Sequence, residues 1–178
     1  MQKRIAFLMC TVLALSILSA AQMGGDKPRP SPAANAQCKF ADGKSVKVDY
    51  SSPRVKGRKI YGGLVPYGQV WRTGANEATT FVTDANLSIG GKDVSAGKYT
   101  MFTVPGEDKW SLVISKKTGE WGTDYPQGED QGRYDMSVSK TPSAVENFTI
   151  SFHEMGDGCH MYMDWENTRA TVELKEKK

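Results

Sequence analysis

Apolar and polar positions alternate with period two along most of this chain. Val46, Val48 and Tyr50 alternate with Lys47 and Asp49, Tyr134, Met136 and Val138 with Asp135 and Ser137, and Phe148, Ile150 and Phe152 with Thr149 and Ser151. Such spacing collects the apolar side chains on one face of a strand. Trp110, Leu112 and Ile114 repeat the pattern, and Pro105-Gly106 before them predicts a turn that pairs them antiparallel with residues 99–104. TTFVT at 79–83 is rich in β-formers, and Leu87 and Ile89 precede Gly90-Gly91, a dipeptide that favours tight hairpins. Met161, Met163 and Trp165 share a face opposite Tyr162 and Asp164, and Ala170, Val172 and Leu174 end the series before a charged tail. Pro142 is read as a break between two strands, because proline donates nothing to a ladder. The elements predict an all-β chain, an antiparallel β-sandwich (jelly-roll-like or a flattened barrel) of roughly eight or nine strands.

Two long stretches interrupt the alternation. Residues 116–132 carry Trp121, Asp124, Tyr125, Glu129 and Asp130. Residues 52–80, SPRVKGRKIYGGLVPYGQVWRTGANEATT, are too long for a hairpin turn and too apolar for a disordered linker. With Ile60-Tyr61 and Leu64-Val65 as anchors and Gly62-Gly63 opening unusual backbone paths, this reads as one long ordered crossover loop laid against the sheet.

Composition changes the picture mainly at the N-terminus. Lys3 and Arg4, an apolar run from Ile5 to Leu18 and the small residues Ser19-Ala20-Ala21 have the form of a signal peptide over 1–21. The run is short for a membrane anchor, so no stable span is expected after its removal. Residues 22–36, rich in Gly, Pro, Ser and Ala, read as a flexible lead-in to a single β-sandwich domain over 37–178. The expected location is therefore exported, periplasmic or extracellular. Without Lys3 and Arg4, 21 of the 23 basic residues remain and nearly balance the 20 acidic ones, which argues against a nucleic-acid partner. Arg54, Lys56, Arg58 and Lys59 are a local exception, read as a solvated loop face. Cys38 and Cys159 remain after processing, and an even pair in an oxidising compartment points to a disulfide; two separate buried thiols are the alternative.

Three runs, Tyr50–Pro53, Gly57–Gly68 and Val70–Thr79, together with Ala96-Gly97-Lys98-Tyr99 and Trp121-Gly122, resemble a bacterial family known as domain of unknown function 2911. The resemblance covers about residue 38 to the end. It implies an exported or envelope-associated β-sandwich, and it implies no activity, cofactor or catalytic residue.

Candidate chemistry centres on loop 71–77. Arg72 offers a bidentate fork, Asn76 donates and accepts, Glu77 accepts or acts as a base, and Tyr61, Tyr67 and Trp71 supply stacking walls. Tyr67, Trp71, Arg72, Asn76 and Glu77 thus form a candidate site for a small anionic or sugar-like ligand, or for an envelope partner, without chemistry. The plainer alternative pairs Arg72 with Glu77 and uses Asn76 to tie down loop backbone. A hydrolase with Glu77 as general base, or a purely structural envelope protein, are the competing functions. No Gly-x-Ser-x-Gly elbow appears, no catalytic residue is assigned, and whether the chain is an enzyme stays open. No cofactor or metal site is assigned either. His153 and His160 lack metal-ligand spacing, the acidic residues of 124–130 do not match a calcium loop, and Met161 and Met163, next to Met155 the softest ligands present, fit a core face equally well.

Overall fold

In a computed structural model, the chain is described over residues 29–178, so the signal peptide expected at 1–21 and the first part of the lead-in lie outside the described residues. Nine strands follow in order: β1 (Ala33–Lys39), β2 (Ser45–Ser51), β3 (Thr79–Thr83), β4 (Leu87–Ile89), β5 (Lys92–Val94), β6 (Gly97–Val104), β7 (Lys109–Ser115), β8 (Asp130–Met155) and β9 (Gly158–Glu176). Among the described residues there is no helix. All nine belong to one antiparallel sheet in the order β1-β2-β3-β6-β7-β8-β9-β4-β5, folded over on itself like a sandwich and not closed into a barrel. Strand β1 begins at Ala33, within the lead-in expected at 22–36. Small residues there still supply backbone donors and acceptors, and Ala33 to Lys39 run in register with Ser51 to Ser45.

The fold-over takes place in the two longest strands. Pro142 does not end a strand: β8 continues through it, and its pairing with β9 shifts register between Lys140 and Val145 and again between Val145 and Thr149. A proline is tolerated at such an irregularity because no ladder bond is required of it there. The first half of β8 pairs with β7 and with the end of β9, and the second half forms a hairpin with the start of β9. The hairpin reaches back across the sheet. Glu154 accepts from the Lys39 backbone N–H at 3.5 Å, Glu176 donates its N–H to the Asp157 carbonyl at 3.1 Å, and Cys38 of β1 is disulfide-bonded to Cys159 of β9.

The inward faces are those the alternation predicts. Val46, Val48, Phe81, Met101, Leu112, Ile114, Tyr134, Met136, Phe148, Met161, Met163 and Trp165 are buried in one core. At one end, Tyr61, Trp71, Trp110, Phe148 and Trp165 form an aromatic cluster in which Trp71 and Trp165 stack at 5.8 Å and 15° and the other pairs meet edge to face.

Candidate functional site

Loop 52–80 is ordered because nearly every segment of it is hydrogen-bonded to a strand. Leaving β2, the Ser52 hydroxyl donates to the Phe148 carbonyl at 2.6 Å. Residues 53–55 then run beside β8, with Phe148 N–H to Pro53 and Val55 N–H to Glu146, both at 2.9 Å. Ile60, Tyr61 and Val65 are buried as anchors, while Leu64 turns outward. Gly63 sits where a Cβ would lie 2.6 Å from the Lys59 carbonyl, so the turn has no room for a side chain. Trp71 exchanges two backbone hydrogen bonds with Thr103 of β6, at 2.7 and 2.9 Å, which fixes the start of the 71–77 run against the sheet.

The backbone beyond Trp71 is strained and held. Thr73, a β-branched residue, has φ 55°, and Asn76 has φ 58°. Thr73 is fully buried; its hydroxyl meets that of Thr103 at 3.1 Å, and its carbonyl accepts from the Thr79 hydroxyl at 2.9 Å. Among the described residues the other two non-glycine residues with φ in this range are Lys56 (48°) and Glu166 (56°); Glu166 borders the same end, since it follows Trp165 and accepts from the Ile60 N–H at 3.4 Å. Strain of this kind costs about 1–3 kcal/mol per residue and persists where the surroundings over-determine the conformation.

The five residues singled out in the sequence do not share one hollow. Trp71 and Arg72 line a cavity of about 240 Å³ with Trp165, Arg58, Leu64 and Val65, its rim completed by Ser31, Pro53, Gly74 and Ala75. Asn76 stands beside it and donates its Nδ2 to the Ser31 carbonyl at 3.1 Å, tying the loop to the chain ahead of β1. Glu77 lies in a separate depression with Arg29, Tyr50 and Thr80, and its carboxylate pairs with Arg29 at 2.8 Å, not with Arg72. Tyr67 is partly exposed and covers Gly62, where a Cβ would come within 2.8 Å of its ring.

The electrostatics separate these residues further. The Glu77 carboxyl is held below its usual range, first by its own backbone N–H and then by Arg29. A general base needs the opposite shift, toward neutrality, so the geometry lends no support to Glu77 in that role. The arginine ion pairs among the described residues are Arg29–Glu77, Arg133–Asp130 and Arg169–Asp164; Arg58 and Arg72 belong to none of them. Arg58 spends its Nε on the Val55 carbonyl at 3.0 Å, and the Nε of Arg72 is buried without a partner. Loop 116–129 crosses directly over Arg72: Glu77 and Trp121 form an antiparallel bridge, and Gly122 lies on the Arg72 side-chain stem. Tyr61, whose hydroxyl is also buried without a partner, has its acidity suppressed by burial above all, with Glu166 and Asp164 adding to the effect.

Sequence reasoning missed Arg58 and Trp165 as members of this hollow. Arg58 stood out only as one of four basic loop residues, and Trp165 only as a core position. The second is correct and incomplete, because its buried ring is also the back wall of the cavity.

Fold and site together define an all-β, disulfide-bridged domain with an aromatic-and-guanidinium hollow at one end of a folded-over sheet. The family model described as "Protein of unknown function (DUF2911)" matches residues 31–174, and the chain belongs to that family. No curated protein and no solved structure matches the chain. Among the described residues, no helix is long and apolar enough to cross a membrane.

Proposed function

We propose that this is an exported binding domain that holds a small anion with a flat or sugar-like body between Trp71, Arg58 and Arg72, without performing chemistry on it. The observation that carries the reading is the Arg72 side chain: a guanidinium with a partnerless buried Nε, paired to no described carboxylate, beside a tryptophan stack. Burying part of a charged, unpartnered donor is costly, and an anionic acceptor in the hollow offsets that cost. An aromatic wall next to a bidentate fork suits a ring that carries a carboxylate or phosphate. At about 240 Å³ the hollow lies below the roughly 300–1,000 Å³ typical of drug-sized sites, which favours a single ring over an oligomer. The bridged cysteines support an oxidising location, consistent with the signal-like start.

The test uses tryptophan fluorescence and calorimetry with galacturonate, glucose 6-phosphate and benzoate as probes and sulfate as the bare-anion control. At least one ring-bearing probe binds more tightly than sulfate. Arg72→Ala abolishes that binding with little change in melting temperature, whereas Glu77→Ala leaves it intact. An Arg72→Ala protein that melts normally and still binds contradicts the reading. An Arg72→Ala protein that fails to fold assigns the loop a structural role instead.

A further inference from the structure

Neither histidine lines this hollow, and the strand register gives them a relation that their spacing in the sequence conceals. In the β8–β9 hairpin His153 is the direct cross-strand partner of His160. Directly opposed residues of an antiparallel pair project from the same face, with Cβ atoms on the order of 5 Å apart. The face is the outer one, because the neighbouring positions Cys159 and Met161 point into the core. His153 is exposed and His160 half-buried, so both imidazoles are open to solvent. Met155, two residues beyond His153 on the same face and 47% exposed, brings a thioether to the same spot; Met161 and Met163 are fully buried and take no part. The fold-over adds Glu173 from the far end of β9, 3.9 Å from the His160 Nε2. Lys175 lies 3.4 Å from Glu173 and draws on that carboxylate from the other side. Among the described residues no three His, Cys, Asp or Glu side chains gather as a cage for a metal, so this is a two-imidazole clip on a rigid hairpin, open on its outer side.

We propose that His153 and His160, with Met155 beside them, form a surface binding site for a copper ion. Imidazole pairs bind first-row divalent ions in an order that peaks at Cu(II), and a thioether is a soft ligand that favours Cu(I). Metal–nitrogen bonds of about 2 Å fit two rings whose Cβ atoms are on the order of 5 Å apart. The hairpin is pinned by the disulfide at the very next residue, Cys159, so the two rings are presented by a fixed backbone. This site shares no residue with the lining of the hollow.

The experiment titrates the signal-processed protein with Cu(II) under electron paramagnetic resonance, and with Cu(I) against a chromogenic chelator. One equivalent of Cu(II) binds with the hyperfine pattern of nitrogen ligands. His153→Asn and His160→Asn each weaken binding by more than the roughly 10–100-fold that loss of a mere supporting residue costs at metal sites. Met155→Leu leaves Cu(II) binding unchanged and weakens Cu(I). All three positions are at least partly exposed, so the variants fold, and circular dichroism confirms it. If the His153→Asn/His160→Asn double variant binds copper as tightly as the wild type, the metal sits elsewhere and the proposal falls. If Met155→Leu holds Cu(I) unchanged, the thioether has no part in the site.

Discussion

A tyrosine hydroxyl in a cage of tryptophans has to be explained at the level of its own atoms. Tyr61 packs edge to face against Trp110 at 4.8 Å and is 4% exposed, and its Oη finds no partner. The ring therefore contributes apolar area and aromatic contacts, while the hydroxyl was stripped of water for nothing in return. Leaving such a group unsatisfied costs roughly 1–3 kcal/mol, whereas replacing it by an apolar atom of similar shape is neutral or favourable. Tyr61→Phe is accordingly expected to leave the unfolding free energy unchanged or to raise it by about 1 kcal/mol. Urea denaturation monitored by tryptophan fluorescence decides the matter. A clear loss of stability in Tyr61→Phe would mean that the hydroxyl is bonded after all, most simply to a buried water. The same reasoning applied to Arg72 leads elsewhere. A guanidinium cannot be neutralised by losing its proton in a protein, so an unpartnered Nε beside an open hollow is a demand for an acceptor, not a packing compromise.

At the scale of elements, the hollow depends on two loops held against each other and on one bend in a strand. Loop 116–129 is fastened by Tyr125, whose hydroxyl donates to Asp130 at 2.7 Å and accepts from Arg133, also at 2.7 Å. Its Gly122 then lies flat on Arg72, where a Cβ would come within 2.5 Å of the Asn76 carbonyl as well. A methyl group at that point has to push the two loops apart. Gly122→Ala is expected to lower the melting temperature by several degrees, on the order of 1–3 kcal/mol for an overpacked contact, and to weaken ligand binding with it. Thermal melts and probe titrations on this one variant check both effects; an unchanged melt would show that the loops are not coupled here. This level is also where the sequence stops being readable. Alternation located the faces of the strands, and Trp71 and Arg72 were visible as a polar–aromatic run. The union of Trp165 with Trp71 was not visible, because it depends on the bend at Glu166, a glutamate in a left-handed conformation that nothing in the local sequence marks. The opposition of His153 and His160 was hidden for a related reason: they are seven residues apart only in sequence, and a two-residue turn between Met155 and Gly158 sets the register. The convergence of Arg72 with Glu77 failed to appear because the chain between them turns through left-handed Thr73 and Asn76, and the two side chains enter different depressions.

For the molecule as a whole, the open question is what keeps a single nine-stranded sheet folded over without closing it. The hairpin formed by β8 and β9 is not laddered to β1; between them stand a 3.5 Å hydrogen bond from Lys39 to Glu154 and the Cys38–Cys159 bridge. The bridge links residues 121 positions apart, so it removes a large share of the unfolded chain's freedom. On the loop-entropy model a closure of that length is worth roughly 5 kcal/mol, against a total of about 5–15 kcal/mol for a typical domain. Burial protects the bridge in the folded state, since both sulfurs lie in the core, and a mild reductant should leave the native protein intact. The expectation is therefore a divergence between conditions. A Cys38→Ala/Cys159→Ala protein should unfold at a much lower urea concentration than the oxidised wild type. Wild-type protein refolded from the reduced state should behave like the variant, and reductant added to folded wild type should act only slowly. Edge strand β1 and the hairpin should lose amide-exchange protection first in the variant, because the bridge is the covalent tie between them, while β6 and β7 at the centre of the sheet keep theirs. Equal urea midpoints for oxidised wild type and the double variant would show that the core alone holds the fold-over, and that the bridge records the compartment the chain folds in without stabilising its shape.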